Sequence, residues 1–222
     1  MQAAPELVQL NYKKLVQNTN EAVVLITKDN IEDYVQLPKR IYDKWYSGTI
    51  PDTQFSDILR AQLLSTYGGI WIDSTVTLLD KLPKYFADDF FIYKSLKPGK
   101  NGLALPFSSW DSAAHCDNPI IQRTRDLLVY YWLKNNENHE YFVFHRMLKI
   151  ALEEYPNAAN LICPVDNSQP HALLVTSKNM LLTKQQITNF FELSSIHKLS
   201  YKIETAFQKE NNGMIINYLS KK

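Results

Sequence analysis

Apolar residues recur at helical spacing along much of the chain, and this pattern predicts its main helices. The most regular stretch predicts a helix from residue 52 to about residue 67, whose apolar stripe consists of Ile58, Leu59, Leu63 and Leu64. Five further helices are predicted at residues 4–18, 38–47, 119–134, 141–154 and 184–193.

Short β-branched or aromatic runs bounded by polar residues predict the strands. These runs lie at residues 21–27, 70–72 and 89–94, and residues 196–201 predict a closing strand or turn. Residues 97–102 have the composition of a turn, and residues 108–117 are predicted to be irregular. Strands that alternate with helices in this way favour the α/β class.

The helix at residues 52–67 leads into a short segment that carries candidate chemistry. Asp57 and Arg60 are three residues apart, so they share one face of the helix. Gly68 and Gly69 end the helix, and the following strand runs straight into Asp73. Ligands of open α/β sheets collect where strands end. We therefore expect two carboxylates and a guanidinium to converge on one pocket.

This combination of side chains suits an enzyme that uses a nucleotide-diphosphate sugar. The diphosphate gains negative charge as the sugar bond breaks, and a cation must stabilise that charge. Carboxylate and guanidinium groups are good hydrogen-bond partners for sugar hydroxyls. The alternative for Asp57 and Arg60 alone is an ordinary surface ion pair, which contributes only about 0.2–0.5 kcal/mol.

The same window resembles the DXD-containing, sugar-binding region of a glycosyltransferase family. The resemblance is to capsular polysaccharide synthesis proteins and their relatives among the Och1-like mannosyltransferases and clostridial glucosylating toxins. It rests on the spacing of Ser56, Asp57, Arg60, Leu64, Tyr67, Gly68, Gly69, Trp71 and Asp73. Weaker similarity extends over most of the chain, at residues 5–15, 23–38, 141–145 and 195–202.

The resemblance implies a GT-A-like, Rossmann-like nucleotide-sugar-binding domain of the α/β class, with extra C-terminal helices. It further implies a single glycosyltransferase domain over residues 1–222, with a donor-binding half at 1–110 and a helical acceptor-side half with the C-terminal loop at 111–222. The implied reaction transfers a hexose from a nucleotide-diphosphate sugar, with a UDP-sugar favoured, to a growing capsular or exopolysaccharide glycan or a lipid-linked acceptor. The family usually retains the anomeric configuration and uses Mn²⁺ or Mg²⁺.

Residue by residue, the resemblance assigns donor binding to Ser56, Asp57, Arg60 and Asp73. Arg60, His197 and Lys198 would be the catalytic residues, because they would steady the departing diphosphate. A metal ion would be held by Asp73 and His197.

Two departures from the family pattern support a second hypothesis. Thr75 replaces the second acid of the DXD motif, and a hydroxyl is a weaker metal ligand than a carboxylate. The sequence also begins at about the helix that follows the family's first strand, so that strand is expected to be missing. The alternative function is therefore a catalytically impaired sugar-nucleotide-binding remnant that acts as a non-catalytic subunit.

Composition restricts the class of protein further. A net charge of +1 gives no field that would attract nucleic acid. Cys116 and Cys163 lack metal-ligand spacing and fit a reducing compartment. No signal-peptide pattern is present, and no apolar run approaches the roughly 20 residues of a membrane span. We expect a cytoplasmic protein, with peripheral attachment to the inner face of the membrane left open.

Several other side chains have two readings each. Trp71 is interpreted as a core residue in preference to a base-stacking wall, and His145 as a core or rim histidine in preference to an acceptor contact. Trp110, Asp111 and His115 form a less favoured candidate for the lining of an acceptor cleft.

Overall fold

The computed structural model describes residues 4–98 and 104–221. Within those ranges the chain is a mixed α/β protein with ten α-helices, one 3-10 helix and five strands in two small sheets. The helices are α1 Glu6–Asn18, α2 Ile31–Tyr34, α3 Lys39–Tyr46, α4 Asp52–Tyr67, α5 Pro119–Lys134, α6 Val143–Glu154, α7 Pro156–Ala159, α8 Ser168–Asn179, α9 Lys184–Phe191 and α10 Ala206–Lys221. The strands are β1 Gly69–Ile72, β2 Val76–Leu78, β3 Phe90–Pro98, β4 Ala104–Ala114 and β5 Ile196–Lys198, and the 3-10 helix is Lys84–Ala87.

The chain divides into two compact units, each built from separate segments. Unit 1 contains the described residues of Met1–Val24, Ile72–Lys84 and Val165–Lys222, and unit 2 contains Leu25–Trp71 and Tyr85–Pro164. In the part of the chain that the structure describes, no helix is both long enough and apolar enough to cross a bilayer.

Unit 2 is organised around the strand order β1-β4-β3 and the helices α4, α5 and α6. Strands β3 and β4 pair antiparallel, with register shifts on either side of Tyr93 and Lys94. One core cluster joins α4 to these strands through residues such as Leu64 and Ile92. Trp45 and Phe55 stack with ring centroids 3.9 Å apart in a second cluster, so α3 and α4 share an aromatic contact.

Unit 1 is organised around the antiparallel pair β2–β5 and the helices α1, α8, α9 and α10. Its core is a cluster of buried apolar side chains from the first and last of these segments: Leu7, Leu173, Leu182, Ile187, Phe191, Leu199, Ile215 and Leu219. Leu79, of the middle segment, is partly buried against this cluster. Side-chain amides join these segments. Asn11 of α1 donates to the carbonyl of Ser74 at 3.1 Å, and buried Asn211 of α10 accepts from the backbone N–H of Leu182 at 2.9 Å.

The α/β class and all six main helices are confirmed, as are the strands at 70–72 and 89–94 and the closing strand at β5. The predicted strand at residues 21–27 is wrong, because that segment has no regular structure and Val24 is largely exposed. The irregular segment predicted at 108–117 is wrong for residues 108–114, since β4 runs to Ala114, and is confirmed only for residues 115–117. Of the turn predicted at 97–102, Lys97 and Pro98 belong to β3 and the remainder lies outside the described residues.

Candidate functional site

Helix α4 holds Asp57 and Arg60 in an ion pair that is withdrawn from solvent. The Nη1 group of Arg60 donates to Oδ1 of Asp57 at 2.6 Å. The side chain of Arg60 is only 3% exposed and that of Asp57 15% exposed. A pair this buried differs from an open surface pair, because both groups have lost most of their hydration.

The guanidinium of Arg60 lies against two aromatic rings of unit 2. Its Cζ atom is 5.2 Å from the ring centroid of Trp71, on β1, and 5.2 Å from that of Phe144, on α6. Aromatic faces stabilise a cation without competing for its N–H groups, and they restrict the orientation of the guanidinium plane. The guanidinium is therefore a positively charged group that is held in one orientation among largely apolar side chains. Trp71 is half-buried and packs against both core clusters of unit 2, in keeping with its interpretation as a core residue.

Gly68 and Gly69 connect α4 to β1 with a backbone that other residues rarely adopt. Their φ angles are +69° and +94°. A Cβ atom on Gly68 would lie 3.0 Å from the carbonyl oxygen of Ala114 and 3.1 Å from the backbone nitrogen of Cys116. The turn therefore needs glycine at this point both for its conformation and for its close approach to the end of β4.

Asp73, in unit 1, forms an ion pair with Lys198. Nζ of Lys198 donates to Oδ2 of Asp73 at 2.7 Å, with 17% of the lysine side chain and 24% of the aspartate side chain exposed. The backbone explains the pairing: Val76 donates to the carbonyl of Asp73 at 2.9 Å and stands opposite Lys198 in the β2–β5 register. The structure thus brings together two of the predicted site residues that are 125 positions apart.

His197 is buried in the core of unit 1, although it neighbours Lys198 in sequence. Successive side chains of a strand point to opposite faces, so the two cannot both face Asp73. Nε2 of His197 lies 2.7 Å from the carbonyl oxygen of Ser194 and therefore carries the proton, and the ring meets Phe191 edge-on at 5.1 Å. Burial lowers the pKa of His197, against a smaller raising effect from the Ser194 and Phe191 carbonyls.

Asp73 and His197, the residues predicted to hold a metal, already have other hydrogen-bond partners. The carboxylate of Asp73 is already bonded to an ammonium group, and Thr75 offers a hydroxyl where the motif has an acid. His197 presents its ring to the core. Over residues 4–98 and 104–221, no group of three or more His, Cys, Asp or Glu side chains is placed to hold a metal ion. As arranged, these side chains do not fit a divalent cation.

The remaining candidates lie in unit 2. Ser56 is half-buried on α4, one position before Asp57, and His115 is exposed after the end of β4. Trp110 and Asp111 are buried within β4, and Trp110 stacks on Tyr93 with ring centroids 5.0 Å apart. His145 meets the ring of Phe144 edge-on at 5.7 Å.

Two features of these surroundings were missed from the sequence. The first is the contact between Phe144 and Arg60, which no sequence pattern indicated. The one relevant signal was the position of Phe144 on the apolar face of the predicted helix at 141–154. The second is a partly buried hydrogen bond between the hydroxyls of Tyr85 and Tyr93 at 2.5 Å. The pKa of Tyr93 is raised mainly by burial. The negative charge of Asp111 and this hydrogen bond raise it by successively smaller amounts.

The sequence was compared with known proteins. The sequence model of a family described as capsular polysaccharide synthesis protein matches residues 1–219. No match was found among curated proteins.

Proposed function

Because this chain belongs to the capsular polysaccharide synthesis protein family, we propose that it is a glycosyltransferase that moves a hexose from a nucleotide-diphosphate sugar onto a growing cell-surface glycan. Family membership carries a biosynthetic role and sugar-related substrates. Our proposal goes further in three respects. It adds the transfer reaction, a GT-A-type donor domain, and a UDP-sugar donor with a glycan or lipid-linked acceptor.

The observation that carries this proposal is the buried pair of Asp57 and Arg60. A buried ion pair is a poor source of stability, because apolar side chains of similar volume often stabilise a protein as well or better. Ligand binding is therefore the better explanation for a buried ion pair beside Trp71 and Phe144. The carboxylate of Asp57 accepts from sugar hydroxyls in this proposal, and Arg60 supplies positive charge and orients that carboxylate.

The proposed transfer proceeds with retention of the anomeric configuration. The bond from the anomeric carbon to the diphosphate oxygen breaks, and its electron pair leaves with that oxygen. The acceptor hydroxyl forms the new bond on the same face of the sugar and loses its proton, for which the departing diphosphate is the nearest base. Lys198 stabilises the growing charge on the diphosphate, and His197 acts from within the core of unit 1 by holding the strand that carries Lys198.

A divalent cation would supply charge neutralisation to the diphosphate. Since Asp73, Thr75 and His197 do not fit such an ion as they are arranged, no step of the proposed reaction is assigned to it. The same observation favours a second candidate function, a non-catalytic sugar-nucleotide-binding subunit.

We expect Asp57→Asn to lower kcat/KM for sugar transfer by roughly 10- to 100-fold, because a charge-assisted hydrogen bond contributes about 1.5–3 kcal/mol. Transfer is measured as release of labelled hexose from a panel of nucleotide sugars to water or to glycan acceptors. The matched control is Asp43→Asn, which removes an exposed intrahelical pair with Lys39 at 2.8 Å in the same unit and should leave transfer unchanged.

Melting temperatures of both variants are measured first, since a buried arginine with a weakened partner lowers stability. Transfer by Asp57→Asn at the wild-type rate would refute the role of the pair. Donor binding by the wild type without any transfer would support the non-catalytic subunit, and no binding of any nucleotide sugar would refute both functions.

A further inference from the structure

We propose that the ammonium group of Lys198 takes the place of a divalent cation in this chain, so that the diphosphate of the donor binds without metal. This inference rests on the proposed function, because it concerns the diphosphate of the same nucleotide-sugar donor. It differs from the expectation that Asp73 and His197 hold Mn²⁺ or Mg²⁺.

The position of the ammonium group is set by backbone pairing on both sides. Lys198 stands opposite Val76 in the antiparallel register, and the next residue, Leu199, donates its N–H to the carbonyl of Thr75 at 2.8 Å. These bonds hold β5 against the segment that begins at Asp73. Strand register therefore brings the backbones of Lys198 and Asp73 close together, and Lys198 Nζ lies 2.7 Å from Asp73 Oδ2.

The exposure of the pair suits a ligand contact. With 17% of Lys198 and 24% of Asp73 exposed, both groups remain within reach of solvent but have lost much of their hydration. An ammonium has three N–H donors and Asp73 accepts one, so the other two are available for phosphate oxygens. Partial desolvation strengthens the attraction between this ammonium and a diphosphate.

A metal ion would meet three obstacles at this position. It would have to displace Lys198 from Asp73, use the hydroxyl of Thr75 where the motif has an acid, and draw the ring of His197 out of the core. The lysine already supplies a positive charge next to the carboxylate. The absence of the second acid and the presence of this lysine are therefore linked. Diphosphate binding can do without a metal ligand where an ammonium group already supplies the positive charge.

The test is calorimetric titration of UDP and GDP into the protein of residues 1–222, once in EDTA and once in Mn²⁺. The wild type should bind with the same Kd in both buffers. Lys198→Ala should weaken binding by about tenfold or more in EDTA, in line with the loss of a hydrogen bond to a charged group. Lys198→Arg keeps the charge and should retain metal-independent binding, which separates a local effect from a failure to fold.

The control is Lys178→Ala, which removes a more exposed ion pair with Glu204 at 3.2 Å in the same unit and should not change the Kd. A double variant, Thr75→Asp with Lys198→Ala, restores the acid and removes the ammonium. It should bind the nucleoside diphosphate in Mn²⁺ but not in EDTA. A purely structural role for Lys198 would not reverse the metal requirement in this way.

The two proposals fail in different ways. Wild-type binding that requires Mn²⁺, or Lys198→Ala that binds as the wild type does in EDTA, overturns the role of Lys198 and leaves the glycosyltransferase proposal intact. No binding of either diphosphate by the wild type in both buffers, together with no binding of any nucleotide sugar, overturns the proposed function and this inference with it.

Discussion

Burial decides what each predicted side chain can contribute, and burial is not visible in a motif. Asp57 and Arg60 were predicted as a pair on one helix face, and the pair is present. Its seclusion depends on Trp71 and on Phe144, which is 84 positions from Arg60. His197 and Lys198 were predicted to have similar roles. Because successive side chains of a strand point to opposite faces, His197 lies in the core and Lys198 contacts Asp73.

The burial of His197 predicts a pH dependence of stability. The unfolded chain titrates near the usual 6.5, while burial lowers the pKa of His197 in the folded protein. Below about pH 6.5 the unfolded state therefore binds more protons, so the free energy of unfolding falls as the pH drops toward the folded pKa. This contribution is complete above about pH 7.5 and does not change further there.

His197→Gln should flatten this acid-side decline, since glutamine does not titrate. Urea unfolding between about pH 7.5 and about pH 5.5 measures the slope. His139→Gln, at an exposed histidine, should keep the wild-type slope. An identical decline in the wild type and His197→Gln would assign the pH dependence to other groups.

Among the elements of secondary structure, those with strong local signals were the easiest to predict. Helix α4, its glycine stop and β1 all follow from apolar spacing and turn chemistry within one window. Strand β4 was missed because its polar residues, such as Ser112 and Asp111, read as a loop. Antiparallel pairing with the preceding strand, β3, makes it a strand, with Ile92 opposite Ser112. Helix α10 was missed because Gly213 and adjacent asparagines weaken its helical signal.

The glycine stop of α4 predicts a difference between two glycine substitutions. Gly68→Ala adds a Cβ at positive φ and at 3.0 Å from the carbonyl oxygen of Ala114, whereas Gly48→Ala adds one at φ +78° in open space. We expect Gly48→Ala to cost about 1–2 kcal/mol of unfolding free energy from the backbone conformation alone. Gly68→Ala should cost more than Gly48→Ala, because the steric contact is added. Chemical denaturation of both variants measures this, and equal losses would contradict the close approach.

Over the whole chain, residues distant in sequence assemble each compact unit. Unit 1 takes helix α1 from the start of the chain, β2 from its first half and α8 to α10 from its end. No local pattern in one segment specifies this assembly, because each segment buries its apolar face only against the others.

Leu219→Ala should therefore destabilise parts of unit 1 that are remote in sequence. Leu219 is fully buried in the cluster that includes Leu7 and Leu173. Its truncation should cost about 2–5 kcal/mol and lower the hydrogen-exchange protection of α1 and α8 as well as α10. Leu161→Ala, at a site that is 76% exposed, should change the stability by less than about 0.5 kcal/mol. Unchanged protection in α1 would show that α10 does not support it.

Local sequence was sufficient to determine the α/β class, the helix–glycine–strand segment that leads to Asp73, the pairing of Asp57 with Arg60, and the family resemblance. These depend on propensity, periodicity and spacing, which act over a few residues. Tertiary structure decided that Arg60 is buried against two rings, that Lys198 bonds to Asp73, and that His197 faces inward. Each of these depends on strand register or helix packing between segments far apart in the chain, where no short-range pattern specifies which groups meet.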